Sequence, residues 1–197
     1  MKKILFNDKY GLTDAVLNKR KTMTRRIIKG EFEDVKAYHA NGDWHFIADT
    51  KDGDSIVVKP AYVEGEKVAI AQAYQTLRWP TLPGIDWEAI TDEVTHSKGW
   101  NNKMFVKAEY MPHRIRITDI KLERLQDISD EDCLEEGVKK HGKGTFKVDG
   151  IRYAFTKRPR IFYTPKQAFE CLIDKIGGKG TWDANPWVFV YVFELIE

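Results

Sequence analysis

The sequence predicts an α+β protein built on a closed or nearly closed β-barrel, with short flanking helices and inserted β-hairpins. Three observations carry that expectation. Segments rich in β-branched and aromatic residues recur along the chain and outnumber helical patterns. Asn41-Gly42, Asp52-Gly53 and Asp149-Gly150 supply the positive φ that tight hairpin turns need. The closing run "NPWVFVYVFELI" is apolar on both faces, which suits a central strand rather than an edge.

Taken in order, "ILF" at residues 4 to 6 reads as a short strand. Leu12, Ala15 and Val16 follow at helical spacing, with Asn7 or Asp8 as cap and an end near Asn18. In "TMTRRI" the alternation places Thr22, Thr24 and Arg26 on one face and Met23, Arg25 and Ile27 on the other. Residues 34 to 59 read as a three-stranded meander. "KVAIAQAY" (67 to 74) and "KMFVKAEY" (103 to 110) are further strand candidates, separated by an excursion with a helical turn. "HRIRITDIKLERL" (113 to 125) alternates cleanly except for a slip at Thr118 and Asp119, the mark of a bulge. Ser129 and Asp132 resemble a capping box, and Gly137 is placed to end that helix. "GTFKVDGIRYAF" reads as a hairpin turning at Asp149-Gly150. Thr164-Pro165 then opens a helix whose buried face would be Ala168, Phe169, Leu172, Ile173 and Ile176, with "GGKG" ending it.

The 197 residues suffice for one sizeable core, and 42% hydrophobic with 31% charged residues is the make-up of an ordinary globular protein. With 32 Lys and Arg against 30 Asp and Glu, the formal net charge is only +2, so any nucleic-acid or anion site has to be local. "MKKILFNDKYG" has too short an apolar run for a secretory signal, and no stretch approaches the roughly 18 apolar residues of a membrane span. A cytoplasmic protein with no membrane partner is expected. Cys133 and Cys171 lack any pairing or CxxC pattern, and the five histidines have no zinc spacing. No metal is expected, and with no phosphate loop or dinucleotide fingerprint, no cofactor either.

Two features stand out chemically. "KRKTMTRRI" (19 to 27) packs Lys19, Arg20, Lys21, Arg25 and Arg26 around Thr22 and Thr24. It reads as a solvated basic edge, a nucleic-acid contact or the working part of an enzyme, with Lys21, Thr24 and Arg26 offering a cation, a hydroxyl and an anion clamp. Glu135 and Glu136 lie in the last turn of a helix, where the macrodipole disfavours a carboxylate by about 0.3 to 1 kcal/mol. Either they face water, or Glu136 faces a cation across a cleft.

The blocks "ILFNDKYGLTDAVLNKRKTMTRRI", "GEKVAIAQAY", "MPHRIRITDIKLERLQDISDEDCLEEGV" and "TWDANPWVFVYVFELI", in that order from residue 4 to residue 196, resemble the ASCH-domain proteins. That resemblance implies a PUA-like barrel, a phage or prophage setting, and a single domain over 1–197 with insertions near 31–59, 78–102 and 139–163. Some small bacterial members are amidohydrolases that deacetylate acetylated cytidine with a lysine and threonine of a GxKxxTxR motif and a later glutamate. Lys21, Thr24 and Arg26 match the motif, and Glu136 falls at the glutamate. Lys21 would activate Thr24 or stabilise charge, Thr24 would attack the acetyl carbonyl, and Glu136 would pass the proton to the leaving amine. The chain departs from the family in two places. The motif glycine is Lys19, leaving Asn18 to take the left-handed conformation, and Gln72 stands where phage relatives usually carry an acid. The family also implies RNA binding. Lys19, Arg20, Arg25, Arg26, Gln72 and Tyr74 would form the basic cleft for RNA or a modified nucleoside, and Trp79, Trp87 or Trp100 would stack on bases or else pack internally. A non-catalytic accessory that uses the insertions to bind a protein partner is the remaining expectation.

Overall fold

A computed structural model describes residues 1–40, 43–77 and 86–196. In chain order the strands and helices are β1 (Lys3–Ile4), α1 (Leu12–Leu17), β2 (Met23–Ile27), β3 (Phe32–Ala40), β4 (Asp43–Thr50), β5 (Ser55–Val58), β6 (Lys67–Ile70), α2 (Trp87–Thr95), β7 (Arg114–Arg124), α3 (Asp130–Glu135), β8 (Lys139–Lys140), β9 (Phe146–Lys147), α4 (Pro165–Gly177), α5 (Thr181–Ala184) and β10 (Trp187–Leu195). The fold is α+β, with ten strands among the described residues.

Among the described residues the expected barrel does not close. Five strands form an open sheet in the order β1-β6-β7-β10-β2, β3-β4-β5 form a second sheet, and β8-β9 a two-stranded one. Strand β1 holds only two residues before Asn7 folds the chain into a 3-10 turn over Asp8–Tyr10, so it is too short to form a ladder with β2. Across that seam the Arg26 Nη2 donates to the Leu5 carbonyl at 2.7 Å, a side chain standing where backbone pairing would close a barrel. Strand β10 is central, as its two apolar faces require, lying antiparallel between β7 and β2 with Val188 through Tyr191 buried. The expected bulge is present: Val192 pairs with Asp119 and Phe193 with Ile117, leaving Thr118 as the extra residue.

One buried cluster runs from Ile4 and Val16 through Ile115, Ile117 and Phe169 to Phe193, and it includes Val35, Phe46 and Ala48 of the meander. The Phe46 ring meets Phe189 edge-on at 4.9 Å between centroids, which docks the second sheet on β10. A second cluster gathers Tyr74, Leu77, Val94, Val106, Ala108 and Met111, with Trp100 packed against it.

Other expectations were displaced for local reasons. Asn7 caps the 3-10 turn by accepting from the Lys9 N–H, and α1 begins only after Gly11. Strand β6 stops at Ile70, short of the expected Tyr74. Residues 103 to 110 form two 3-10 turns, not a strand, because the Lys3 ammonium takes the carbonyls of Met104 and Val106 and the Tyr74 hydroxyl takes the Lys107 N–H. Asp149-Gly150 turns the chain without making its hairpin: Phe146 bridges Phe162 instead. A Cβ on Gly150 would lie 2.0 Å from the Lys9 carbonyl oxygen, so the turn is committed to packing on the Asp8–Gly11 segment. On α4, Ala168, Phe169 and Leu172 are buried, whereas Ile176 is exposed. The Asn41-Gly42 turn and Trp79 lie outside the described residues. Among the described residues no helix is long and apolar enough to cross a membrane, and no group of three His, Cys, Asp or Glu is placed to hold a metal ion.

Candidate functional site

The seam between β1 and β2 opens into a cavity of about 530 Å³, within the range of ligand pockets, roughly 300 to 1,000 Å³. Its floor is Lys21, Thr24, Arg25, Arg26 and Glu136. The lining also includes the apolar Leu5, Phe6 and Leu12, Phe169, Leu172, Ile173 and Ile176 of α4, and the polar Asp8, Lys9 and Lys103. Ile176, exposed on α4, is thus part of the cavity lining.

The turn between α1 and β2 places Lys21. Asn18 caps the helix through its amide on the Asp14 carbonyl, and the residue in the left-handed region is Lys19, at φ 57°, not Asn18. The backbone reversal drives Lys21 inward, where its Nζ donates to Glu136 Oε2 at 2.5 Å, to the Met23 carbonyl at 2.8 Å and to the Glu136 carbonyl at 2.9 Å. An ammonium has three N–H groups, and all three are taken. Burial drives the Lys21 pKa down, Glu136 pulls it back up, and burial wins, with Arg26 and Arg25 adding to the depression.

Glu136 closes α3 with near-helical φ and ψ, and Gly137 at φ 112° carries the chain away. A Cβ on Gly137 would sit 2.9 Å from Leu12 Cδ2 and 3.8 Å from Lys21 Cδ, so the absence of a side chain lets α3 approach the lysine. The two acids of the last turn separate cleanly. Glu135 is exposed and accepts from the Thr22 hydroxyl, while Glu136 is 4% exposed and faces cations. Its Oε1 accepts the Arg25 backbone N–H at 2.7 Å and the Arg25 Nη1 at 3.3 Å.

Arg25 is the second buried cation. Its Nε donates to Glu123 at 2.7 Å and its Nη2 to Asp132 at 2.6 Å. Burial acts to lower the Arg25 pKa, but Glu136 and Glu123 outweigh it and the guanidinium is held above its usual value. Asp132 makes only half of the expected capping box: its N–H donates to Ser129, but its carboxylate is given to Arg25. Thr24 is 5% exposed, lines the cavity, and its hydroxyl makes no hydrogen bond among the described residues.

The basic run thus splits into three environments. Lys21 and Arg25 are buried in ion pairs, and Arg26 is half-buried on the cavity wall. Lys19 is exposed on the turn, and Arg20 lines a different groove with Leu134 and Lys140. Gln72 and Tyr74 do not line the cavity. The Gln72 Oε1 is buried with no hydrogen-bond partner among the described residues, and Tyr74 sits in the second cluster. Sequence reasoning missed Glu123 and Asp132. A signal for Asp132 was present, since it lies four residues before Glu136 and shares its helix face. Cys133 is buried beside this network, its thiol pushed up to about 12 by burial, which keeps it protonated and inert.

Compared with known proteins, the chain matches no family model, no curated protein and no solved structure.

Proposed function

We propose that the cavity is the active site of an ASCH-type amidohydrolase on an opened PUA-like barrel, acting on N4-acetylcytidine or a closely related acylated nucleoside. The observation that carries this reading is the convergence of Lys21, Thr24 and Glu136 on one cavity floor, although Lys21 and Glu136 stand 115 positions apart in the chain. The quoted motif blocks supply the elements around it: "KRKTMTRRI" forms the turn and β2, "DISDEDCLEEGV" forms α3, and "NPWVFVYVFELI" forms the strand on which β2 is laid. The cavity's apolar lining residues suit a planar base, and Lys21, Thr24, Arg26 and Glu136 suit an amide.

In this reading Lys21, as the neutral amine, gives up one of its backbone hydrogen bonds so that its lone pair can face Thr24, and takes the proton as Thr24 Oγ attacks the acetyl carbonyl. A charged Lys21 has no N–H to spare, so the developing oxyanion falls to Arg26, which gives one donor to Leu5 and keeps others. As the C–N bond breaks, the proton moves along the Lys21–Glu136 hydrogen bond and from Glu136 to the leaving amine. The acetyl group is left on Thr24. Water then attacks it, acetate leaves, and the threonine hydroxyl regains a proton.

Cytidine release from N4-acetylcytidine, followed by chromatography, is the test. Wild-type protein is expected to turn over, and Lys21→Ala, Thr24→Ala and Glu136→Ala are each expected to lower kcat/KM by about 10² or more. No cytidine from the wild type, or equal rates in Thr24→Ala, would overturn the proposal.

A further inference from the structure

Charge is distributed very unevenly along this chain. Residues 139–160 hold eight of its 32 Lys and Arg and one of its 30 Asp and Glu, which leaves the remainder with 24 basic against 29 acidic residues. The single acid, Asp149, is paired with Lys139. A protein of nearly neutral total charge therefore carries a local excess of seven positive charges on an otherwise acidic chain.

The segment is a finger with a fixed root. Val148, Ile151 and Phe162 are buried in the main core, and Gly150 packs on the carbonyl of Lys9, one of the residues on the rim of the cavity. Beyond the root, Arg152 bridges Pro159, the Tyr153 N–H donates to the Arg158 carbonyl at 3.2 Å, and the Arg160 N–H to the Ile151 carbonyl at 3.0 Å. At the tip, the Thr156 N–H donates to the Tyr153 carbonyl and the Arg158 N–H to Thr156 Oγ1. The backbone is thus defined, while every side chain from Arg152 to Arg158 is exposed.

Aromatic rings stand between the cations. Tyr153 is 48% exposed, Phe155 is fully exposed, and Tyr163 beyond the finger is 78% exposed. Phe155 also has φ 58°, a left-handed conformation unfavourable for a bulky L residue, and no packing contact in the core recovers that cost. A ring held outward by a strained backbone, beside Arg152, Lys157 and Arg158, is the arrangement that meets a stacked base and its phosphates together.

We propose that the 151–160 finger is a binding site for single-stranded nucleic acid, with Tyr153 and Phe155 stacking on bases and Arg152, Lys157 and Arg158 contacting phosphates. A duplex keeps its bases stacked on one another and offers these rings no partner. A lipid surface is the poorer fit, because interfacial segments bury clustered Trp, Phe and Leu, whereas two of the three exposed rings here carry hydroxyls and no Leu or Trp lies in the finger. The site uses none of the cavity residues, so it stands or falls apart from the hydrolase reading.

Fluorescence anisotropy with a labelled 12-nucleotide RNA of mixed sequence, titrated by the full chain at several salt concentrations, tests it. Three or four phosphate contacts give a slope of log K against log salt of about −2 to −3. Tyr153→Ala with Phe155→Ala is expected to weaken binding about tenfold or more with the slope unchanged, since stacking releases no counterions. Arg152→Ala with Lys157→Ala and Arg158→Ala is expected to flatten the slope by about 2. Lys51→Ala, an exposed lysine of the β4–β5 turn, and Thr24→Ala are expected to bind as wild type. All these positions except Thr24 are exposed, and circular dichroism confirms that each variant is folded. Undetectable binding at low salt, affinity within twofold after loss of both rings, equal affinity for a duplex of the same length, or binding to phosphatidylserine vesicles in place of RNA would each overturn the proposal.

Discussion

Lys21 and Arg25 beneath the cavity, and Arg152, Lys157 and Arg158 on the finger, are the same kind of charge in opposite surroundings. The first two are 1% exposed at the side chain and are matched by Glu136, Glu123 and Asp132, with every Lys21 proton donated. The finger cations face water, and the one acid of their segment is committed to Lys139. Desolvating a charge costs several kcal/mol unless partners replace the water, so a buried cation binds the fold to its counter-charges, while an exposed one is free to meet a ligand. A basic run in a sequence therefore has no single meaning: "KRKTMTRRI" is mostly internal, and the segment that reads as a plain hairpin carries the open charge.

The largest expected effect breaks the first region alone. Glu136→Ala leaves two buried cations short of a partner and is expected to destabilise the protein by about 3–5 kcal/mol in urea unfolding. Replacing both members, Lys21→Met with Glu136→Leu, is expected to recover much of that loss, because it also removes the desolvation penalty. The triple substitution on the finger is expected to leave the unfolding midpoint unchanged. If Glu136→Ala were as mild as the finger variant, the contrast between the regions would be wrong.

Gly137→Ala comes next. It forces a side chain into a positive-φ position and against Leu12, and a loss of about 1–3 kcal/mol is expected by the same measurement.

The pH dependence of stability sharpens the comparison further. Because burial lowers the Lys21 pKa in the folded state, the unfolded chain binds more protons between that value and about 10.4. Lys21 therefore makes stability rise with pH across that window. Cys133 works the other way above about 8.5, since the unfolded thiol ionises while the folded one waits until about 12. The difference between wild type and Lys21→Met isolates the lysine, and it is expected to move in favour of the wild type as pH rises. A flat difference would mean that Lys21 keeps an ordinary pKa.

The smallest expected effect is at Lys19. Relief of the left-handed strain, about 1–2 kcal/mol, is offset by the chain entropy glycine adds, about 0.5–1 kcal/mol, so Lys19→Gly is expected to stabilise by about 0–1.5 kcal/mol.

Alternation and turn chemistry made much of the sheet legible in the sequence: the central place of β10, the bulge at Thr118, and the meander around Asp52-Gly53 all follow from local pattern. Residues 103 to 110 have the composition of a strand, but Lys3 and Tyr74, distant in sequence, take the groups a ladder would use. Whether the expected barrel closes was left open by the sequence for a related reason, since the length of β1 is set by where Asn7 caps a turn. At the site, the Lys21, Thr24 and Glu136 positions were legible through motif resemblance and the odd placement of a glutamate at a helix end. Arg25 was legible as a cation but not as a buried one, because its partners Glu123 and Asp132 arrive from β7 and α3. Burial of a charge is a property of the assembled elements, and no single segment reveals it.

The most direct test of the proposed hydrolytic role of the cavity is rapid-quench mass spectrometry of the wild-type protein mixed with N4-acetylcytidine. An acetyl group on the peptide containing Thr24, formed together with the first equivalent of cytidine and absent in Thr24→Ala, is the expected result. Cytidine formation by Thr24→Ala at the wild-type rate, with no acetylated Thr24 in the wild type, would contradict it.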